Sequence, residues 1–292
     1  MKIITDLNFQ LNNTAVCIGK FDGLHRGHRL LFSEARRSGR KTVMITFVFP
    51  ESHGIYGQDE KIFLAGELGV DVVVMIPVTD DFMHMTAGEF VREILVKRCG
   101  AELVVVGADF CFGYQRSGTA EYLQEAGEEY HFSVKVYDKL TQDGEVISST
   151  RIRRLLEEGR MQEANDLLET PYFIRGTVEH GNQIGGRMIV PTANIRPAEG
   201  KILPPYGVYA VRVMLEGREY DGVGNLGVKP TIPGKDPAGM EVWLFDYEGD
   251  LYGQTLTVFF MNFQRAERKF ASVEQLKEQI GKDTEEAKAF LS

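Results

Sequence analysis

Two different hydrophobic patterns divide the chain near residue 170. In the first part, short continuous apolar runs alternate with segments that repeat their apolar residues at helical spacing. Continuous runs are typical of strands covered on both faces, and alternation with helices predicts a parallel, doubly wound α/β sheet. The predicted strands are Ala15–Ile18, Thr42–Phe47, Val70–Ile76, Leu103–Val106 and Phe132–Val136.

After residue 170 the runs alternate apolar with polar residues, and Gly, Pro and Asp turns separate them. This pattern predicts a small antiparallel β-barrel or sandwich. Ser272–Ser292 predicts a closing helix with Val273, Leu276 and Ile280 on its apolar face. The predicted strands are Gly207–Leu215, Glu219–Gly227, Glu241–Tyr247 and Thr255–Phe263.

The boundary between the two parts has its own signals. Ser149–Leu168 predicts two short helices that Gly159 separates, and Pro171 disfavours helix at the residue before it. Only Pro50 and Pro77, of ten prolines, precede Pro171. We therefore predict an α/β domain over residues 1–170 and a β domain over residues 171–292.

Composition excludes several classes of protein. The chain is 43% apolar and 26% charged, as in globular proteins, and its net charge of −9 argues against binding nucleic acid through overall charge. No run approaches the roughly 18 apolar residues that span a membrane, and no secretion signal opens the sequence. Three cysteines are too few for a disulfide framework or a cysteine zinc site. We expect a cytoplasmic monomer or weak oligomer with no membrane or nucleic-acid partner.

The most informative stretch runs from Ile18 to His28 and reads IGKFDGLHRGH. It follows a predicted strand and leads into a helix, where an open parallel sheet gathers ligands and a helix start offers N–H groups to phosphate. Gly19 and Gly23 let the backbone approach a ligand. His25 and His28 are one helical turn apart, so both imidazoles can stabilise charge during phosphoryl or nucleotidyl transfer.

Two other interpretations of the histidine pair remain open. A zinc site needs a third ligand, and no Cys or acidic residue follows at the usual spacing. Most single histidines are structural or exposed. The combination of strand end, glycines and paired histidines favours the phosphate site.

A second candidate segment is Ile147–Arg153, which reads ISSTRIR. Its hydroxyls at a helix start can cap the helix or bind phosphate, and Arg153 follows one turn later on the face of Thr150. A plain N-cap with a basic solvated turn fits the same string. Beside the histidine motif, phosphate binding is the favoured interpretation.

These strings carry a family resemblance. The Phe-Asp-Gly-x-His-x-Gly-His string with a later Ser-Ser-Thr-x-x-Arg resembles the HxGH nucleotidyltransferase superfamily. In the second half, five segments resemble the riboflavin kinase module: Pro191–Asn194, Gly207–Tyr209, Asn225–Gly227, Lys229–Thr231 and Leu251–Gly253. In order and spacing these motifs cover nearly the whole chain, which therefore resembles the bacterial bifunctional riboflavin kinase/FMN adenylyltransferase family.

For the first domain, the resemblance implies transfer of AMP from ATP to the phosphate of FMN, giving FAD and pyrophosphate. It implies that His25, His28 and Arg153 contact the ATP phosphates. It assigns Asp109 and Phe110, within a Gly-x-Asp-Phe-x-Phe-Gly element, to the flavin site, with a plain turn as the alternative for Asp109. The remaining nucleotide-binding positions that it implies are Gly19, Phe21, Asp22, Gly23, Ser148, Ser149 and Thr150.

For the second domain, the resemblance implies phosphorylation of riboflavin by Mg²⁺-ATP. Thr192 and Asn194 are two apart in an extended segment, so both oxygens would face one side as Mg²⁺ ligands. Glu241 matches the family's general base, with a surface Glu as the alternative. The other matched positions are Gly181 and Gly185 in a phosphate loop and Arg265 in a flavin loop, with ordinary turn glycines and a basic solvated turn as alternatives.

The sequence departs from the family pattern in four places. Val48–Glu51 stands where the family has Glu-Pro-His-Pro, Lys20 replaces an Asn, Val or similar residue, and Cys111 replaces a frequent Arg. A fourth departure is Ile189-Val190, which stands where the family has Gly and an aromatic residue before Pro-Thr-Ala-Asn. We expect a bifunctional enzyme whose substrates and products are ATP, riboflavin, FMN and FAD. The alternatives are a monofunctional riboflavin kinase with a weakened or inactive adenylylation domain, and a non-catalytic flavin-binding regulator.

Overall fold

The structure is a computed structural model that describes residues 1–49, 53–179, 192–228 and 238–292. The chain forms two units. The first consists of Met1–Gly54 and Gln58–Ser149, and the second of Ile55–Gly57 and Thr150–Ser292.

A six-stranded parallel sheet forms the centre of the first unit. The middle strand is buried along its whole length, as its continuous apolar sequence requires. In chain order, strands β1 to β6 are Lys2–Ile4, Thr14–Ile18, Lys41–Val48, Val72–Pro77, Ala101–Gly107 and Ser133–Tyr137.

The strand order β1-β4-β3-β2-β5-β6 confirms the predicted doubly wound topology. The chain steps from β2 to β3 to β4 in one direction, then crosses to β5 and β6 on the other side of β2. Right-handed crossovers place the helices of these two halves on opposite faces. The order therefore reverses between β2 and β5, and a doubly wound sheet binds ligands beyond the strand ends at this point.

The helices of the first unit follow the strands as the alternation predicts. Thr86 and Glu89 form a capping box at the start of α4. Helix α4 continues as a π-helix over Phe90–Arg98. A 3₁₀ turn covers Tyr114–Arg116, and strands β7, Thr141–Gln142, and β8, Glu145–Val146, form a hairpin. Helices α1 to α5 are Arg26–Arg37, Gln58–Glu67, Asp80–Met83, Ala87–Glu89 and Ala120–Tyr130.

The second unit contains a six-stranded antiparallel sheet in the order β10-β13-β12-β11-β14-β9. Its edges meet, because the Glu179 N–H donates to the Asn194 carbonyl at 2.8 Å. The sheet thus curls into the predicted barrel. Strands β9 to β14 are Phe173–Thr177, Ala193–Ile195, Gly207–Leu215, Arg218–Val228, Ala238–Leu244 and Thr255–Ala266.

The division between the units differs from the predicted boundary at residue 170. Helices α6, Ser149–Glu157, and α7, Met161–Leu168, form as predicted, but the second unit already begins at Thr150. The Asn165 amide donates to the Phe260 carbonyl of β14 at 2.8 Å, which fixes α7 to the barrel. Sequence periodicity shows that a helix is amphipathic but not which core it covers.

Helix α8, Val273–Leu291, closes the second unit as predicted, with Ser272 as its N-cap. The predicted apolar face is partly wrong, because Val273 is 60% exposed. The buried positions of the helix are instead Asp283 and Ala287.

In the described ranges, no helix is long and apolar enough to cross a membrane. Cys17, Cys99 and Cys111 are free thiols, and burial raises the pKa of Cys99 to about 12.

Candidate functional sites

The histidine motif of the first unit lies between β2 and α1, at the point where the strand order reverses. Its backbone is tightly constrained. Phe21, Gly23 and Leu24 have positive φ angles of 48°, 83° and 45°. Such a conformation costs a non-glycine residue roughly 1–2 kcal/mol and persists only where the surroundings fix it. The surrounding residues of the unit therefore fix the conformation of this loop.

The two imidazoles stack on each other with ring centroids 3.7 Å apart and an interplanar angle of 20°. His25 is the N-cap of α1 and is 6% exposed. Within the part of the chain that the structure describes, the Nδ1 atoms of both rings are buried without a hydrogen-bond partner. Buried polar atoms are usually satisfied, so this pair indicates a missing ligand.

Phe21 packs against the histidine pair. Its ring is 1% exposed and packs edge-on against His28 with centroids 5.2 Å apart. A Cβ at Gly19 would approach this ring to 3.2 Å, which explains the glycine. The predicted contact of Phe21 with nucleotide can therefore involve only its backbone, since the ring is covered.

Both imidazoles are neutral near pH 7. Burial lowers the pKa of His25 to about 4, although Asp22 opposes the shift. Burial, His25 and the ammonium of Lys61 together lower the pKa of His28 well below its usual value. A neutral imidazole retains one N–H donor, which suits a phosphate oxygen.

These shifts predict a loss of stability in mild acid. The unfolded histidine titrates near 6.5, so between that value and the folded pKa the unfolded state binds more protons. Stability is complete above pH 6.5 and falls as pH decreases towards 4. We expect the shifted pKa of His25 alone to lower the free energy of unfolding by about 2 kcal/mol between pH 7 and pH 5. Hydrogen exchange of the β2 amides measures this loss, with the β11 amides as an internal control; equal protection of β2 at both pH values would contradict it.

The serine–threonine segment meets the histidine loop. The hydroxyl of Ser149, the last residue of the first unit, donates to the Asp22 carbonyl at 2.9 Å, which fixes Ser149 beside the loop. Ser148 is half-buried and Thr150 is exposed. Arg153 lies one turn further along α6, within the second unit, so its predicted position beside the histidines stays a prediction.

The Gly-x-Asp-Phe element follows β5, on the other side of the reversal point. The Asp109 side chain is 64% exposed and lies 2.8 Å from the Lys139 ammonium. Phe110 stacks on Phe112 with centroids 5.5 Å apart. Their predicted contact with flavin stays a prediction.

Two of the departures from the family pattern touch each other. The Lys20 ammonium lies over the Phe49 ring, 5.0 Å from its centroid. Pro50, Glu51, Ile189 and Val190 lie outside the described residues, as does the Lys229–Thr231 segment.

In the second unit, strand register assembles a polar row that the sequence only partly revealed. Asn194 on β10 pairs with Glu241 on β13, and Glu241 pairs with Asn225 on β12. Directly opposed residues of an antiparallel sheet share a face. All three are half-buried, whereas Met240 and Val242 beside Glu241 are buried, so the row lies on the outer face of the barrel. The sequence analysis assigned roles to Asn194 and Glu241, whereas it named Asn225 only as part of a motif and gave it no role in the site.

Thr192 is half-buried and precedes β10, two residues before Asn194. The described residues contain no group of three or more His, Cys, Asp or Glu that would enclose a metal. Two neutral oxygens beside Glu241 nevertheless fit Mg²⁺, which uses few protein ligands and takes others from substrate phosphates. Gly181 and Gly185 lie outside the described residues, so their predicted phosphate loop is untested.

Arg265, which the sequence assigned to flavin, has a structural partner. Its guanidinium donates to both carboxylate oxygens of Asp283, at 2.9 and 2.6 Å. The Gln279 amide adds a donor to the same carboxylate at 2.7 Å. The pair therefore joins β14 to α8, and a contact of Arg265 with flavin stays a prediction.

We expect Asp283→Ala to destabilise the second unit by about 3–5 kcal/mol. The carboxylate is 4% exposed, and its removal leaves the Arg265 charge partly buried without its partner. Thermal unfolding followed by the fluorescence of Trp243, the only tryptophan, measures the effect. The exposed Glu278→Ala on the same helix is the control, and a loss of less than about 1 kcal/mol in Asp283→Ala would contradict a structural ion pair.

Comparisons with known proteins cover both sites. Residues 8–151 match the family model of FAD synthetase, and residues 168–291 match that of riboflavin kinase. The bifunctional riboflavin kinase/FMN adenylyltransferase of Escherichia coli (strain K12) is 37% identical over 288 residues, covering 94% of this chain and 91% of that protein. The protein of the same name from Listeria monocytogenes is 32% identical over 294 residues, covering 96% and 93%.

A solved Streptococcus pneumoniae structure, described as a macrolide-efflux protein, is 30% identical, covers 97% of each chain and superposes with a TM-score of 0.83. The fold of the whole chain thus has a solved counterpart. From the full-length identity to the curated relatives and the two matched domains, the chain belongs to the family of bifunctional riboflavin kinase/FMN adenylyltransferases.

Proposed function

We propose that the second unit phosphorylates riboflavin to FMN with ATP, and that the first unit adenylylates FMN to FAD with release of pyrophosphate. The observation that carries the proposal is the presence of two separate polar sites, one in each unit, in a chain that matches both enzyme families. The chemistry needs no covalent enzyme intermediate, because each acceptor attacks phosphorus directly.

In adenylylation, a phosphate oxygen of FMN attacks the α-phosphorus of ATP, and the bond from that phosphorus to the pyrophosphate oxygen breaks. The attacking group is already an anion, so the enzyme's task is alignment and charge stabilisation. His25 and His28 would donate to phosphate oxygens at the start of α1, whose free N–H groups also favour an anion. His25 is buried and His28 is half-buried, and the exclusion of water from such donors strengthens them.

In phosphorylation, the terminal ribityl hydroxyl attacks the γ-phosphorus of ATP and ADP leaves. Glu241 would accept the hydroxyl proton, and Asn225 beside it, whose amide donates to Glu267 at 3.2 Å, would contact the substrate. Thr192 and Asn194 would hold Mg²⁺, which when bound neutralises charge on the transferred phosphate.

The monofunctional alternative is not favoured. It rested on the Val48–Glu51 departure, but the histidine pair is stacked and residues 8–151 match FAD synthetase. Thr46, near the end of β3, is also fully buried and hydrogen-bonded to the Lys20 carbonyl of the histidine loop. A non-catalytic regulator has no observation in its favour. The cytoplasmic location and the oligomeric state stay predictions.

The test is incubation of the purified chain with riboflavin, ATP and Mg²⁺, followed by chromatographic separation of flavins. We expect FMN first and FAD second, and loss of both when EDTA removes the metal. FMN without FAD would support the monofunctional alternative. Tight flavin binding without either product would support the regulator.

A further inference from the structure

Lys61 is a residue of the first site that neither motif predicted. It lies on α2, more than 30 residues after the histidines in sequence. Its ammonium donates to the Lys20 carbonyl at 3.0 Å and lies 3.5 Å from the Thr46 hydroxyl. The Thr46 hydroxyl donates to the same carbonyl at 3.1 Å. Two elements, β3 and α2, therefore hold one backbone oxygen of the histidine loop.

The position of that oxygen matters, because Lys20 is the residue immediately before the strained part of the loop. Phe21 follows with a φ of 48° and seats its buried ring against His28. A carbonyl fixed by two donors cannot turn, so the peptide that leads into Phe21 keeps its orientation. Lys61 therefore affects the position of His28 indirectly, through the Lys20 carbonyl and the Phe21 ring.

Charge gives a second connection. The ammonium of Lys61 is one of the groups that lower the pKa of His28. Burial also lowers the pKa of Lys61, against the attraction of Asp22. His25 and Lys61 therefore act directly on His28, whereas Asp22 acts on His25 and on Lys61.

We propose that Lys61 is a positioning residue of the adenylylation site, where its ammonium holds the Lys20 carbonyl and presents His28 to the phosphates of ATP. This inference depends on the proposed adenylylation activity. A hydrogen bond from a charged donor typically stabilises by about 1.5–3 kcal/mol, which corresponds to roughly 10- to 100-fold in rate if it acts in the transition state.

The experiment compares Lys61→Met, Lys61→Gln and Lys61→Arg in the full chain, with FMN and ATP as substrates over a range of pH. We expect Lys61→Met to lower kcat/KM for FAD formation roughly 10- to 100-fold, and Lys61→Arg to restore most of it because it keeps the donor and the charge. Loss of the charge in Lys61→Gln raises the His28 pKa, so the acidic limb of its pH profile moves to higher pH. Lys97→Met, an exposed lysine on another helix of the unit, is the matched control.

A readout independent of turnover is the NMR titration of the His28 ring in the unliganded chain. We expect its pKa to rise in Lys61→Gln and to stay low in Lys61→Arg. An unchanged rate and an unchanged His28 pKa in Lys61→Gln would overturn the inference, even if wild type forms FAD normally. Absence of FAD formation by wild type itself would refute the proposed function, and the titration would then still decide whether Lys61 governs His28. If Lys61→Met does not fold, the Gln and Arg variants make the same comparison.

Discussion

We expect His28→Ala to lower the rate of FAD formation by about 100- to 1,000-fold and to leave FMN formation unchanged. Removal of a preorganised donor from a buried phosphate-transfer site typically costs this much. His28 belongs to the first unit, whereas the polar row around Glu241 belongs to the second. The two half-reactions are assayed separately, one with FMN and ATP and the other with riboflavin and ATP.

The control for this variant is His84→Ala, an exposed histidine of the same unit. The stacked geometry of His25 and His28 also predicts how they combine. Because one ring supports the other, the double alanine variant should lose little more activity than either single variant, as residues that act as a unit do. Full FAD formation by His28→Ala, or equal loss of both activities, would contradict the assignment.

Sequence reasoning predicted those elements whose pattern is local. The run Thr14–Ile18 is buried on both faces, so its apolar continuity alone identified the central strand. In the two six-stranded sheets, the strands that it missed are Lys2–Ile4, Phe173–Thr177 and Ala193–Ile195. Two of these have three residues, too few for a period to show, and the third contains Arg175 and Gly176, which interrupt the alternation.

The same limit applies to the sites. The i, i+3 spacing of His25 and His28 predicted their contact, because one helical turn sets it. No local spacing places Lys61 under the histidine loop, since its position depends on how the β3–α2 crossover packs. Asn225 joins Glu241 only through strand order, and Arg265 finds Asp283 only through the docking of α8. Such contacts are tertiary, so they require the structure.

The second large effect concerns Glu241. We expect Glu241→Gln to lower kcat for FMN formation by about 10²- to 10⁴-fold, the usual contribution of a positioned general base. The amide keeps the size of the side chain and its place in the polar row but cannot accept the ribityl proton. Adenylylation of added FMN should continue at the wild-type rate, because that site lies in the other unit.

The control is Glu219→Gln, the same substitution at an exposed position of β12. The two half-reactions are assayed as for His28→Ala. The two variants should show opposite patterns: His28→Ala forms FMN but not FAD, whereas Glu241→Gln converts FMN to FAD but does not form FMN. Glu241→Gln also distinguishes proton transfer from metal binding. If the carboxylate served only to hold Mg²⁺, its replacement would raise the Mg²⁺ concentration that the reaction requires, and kcat would recover at high Mg²⁺. Such a recovery would show that Glu241 is not the general base and that it acts with Asn194 in holding the metal.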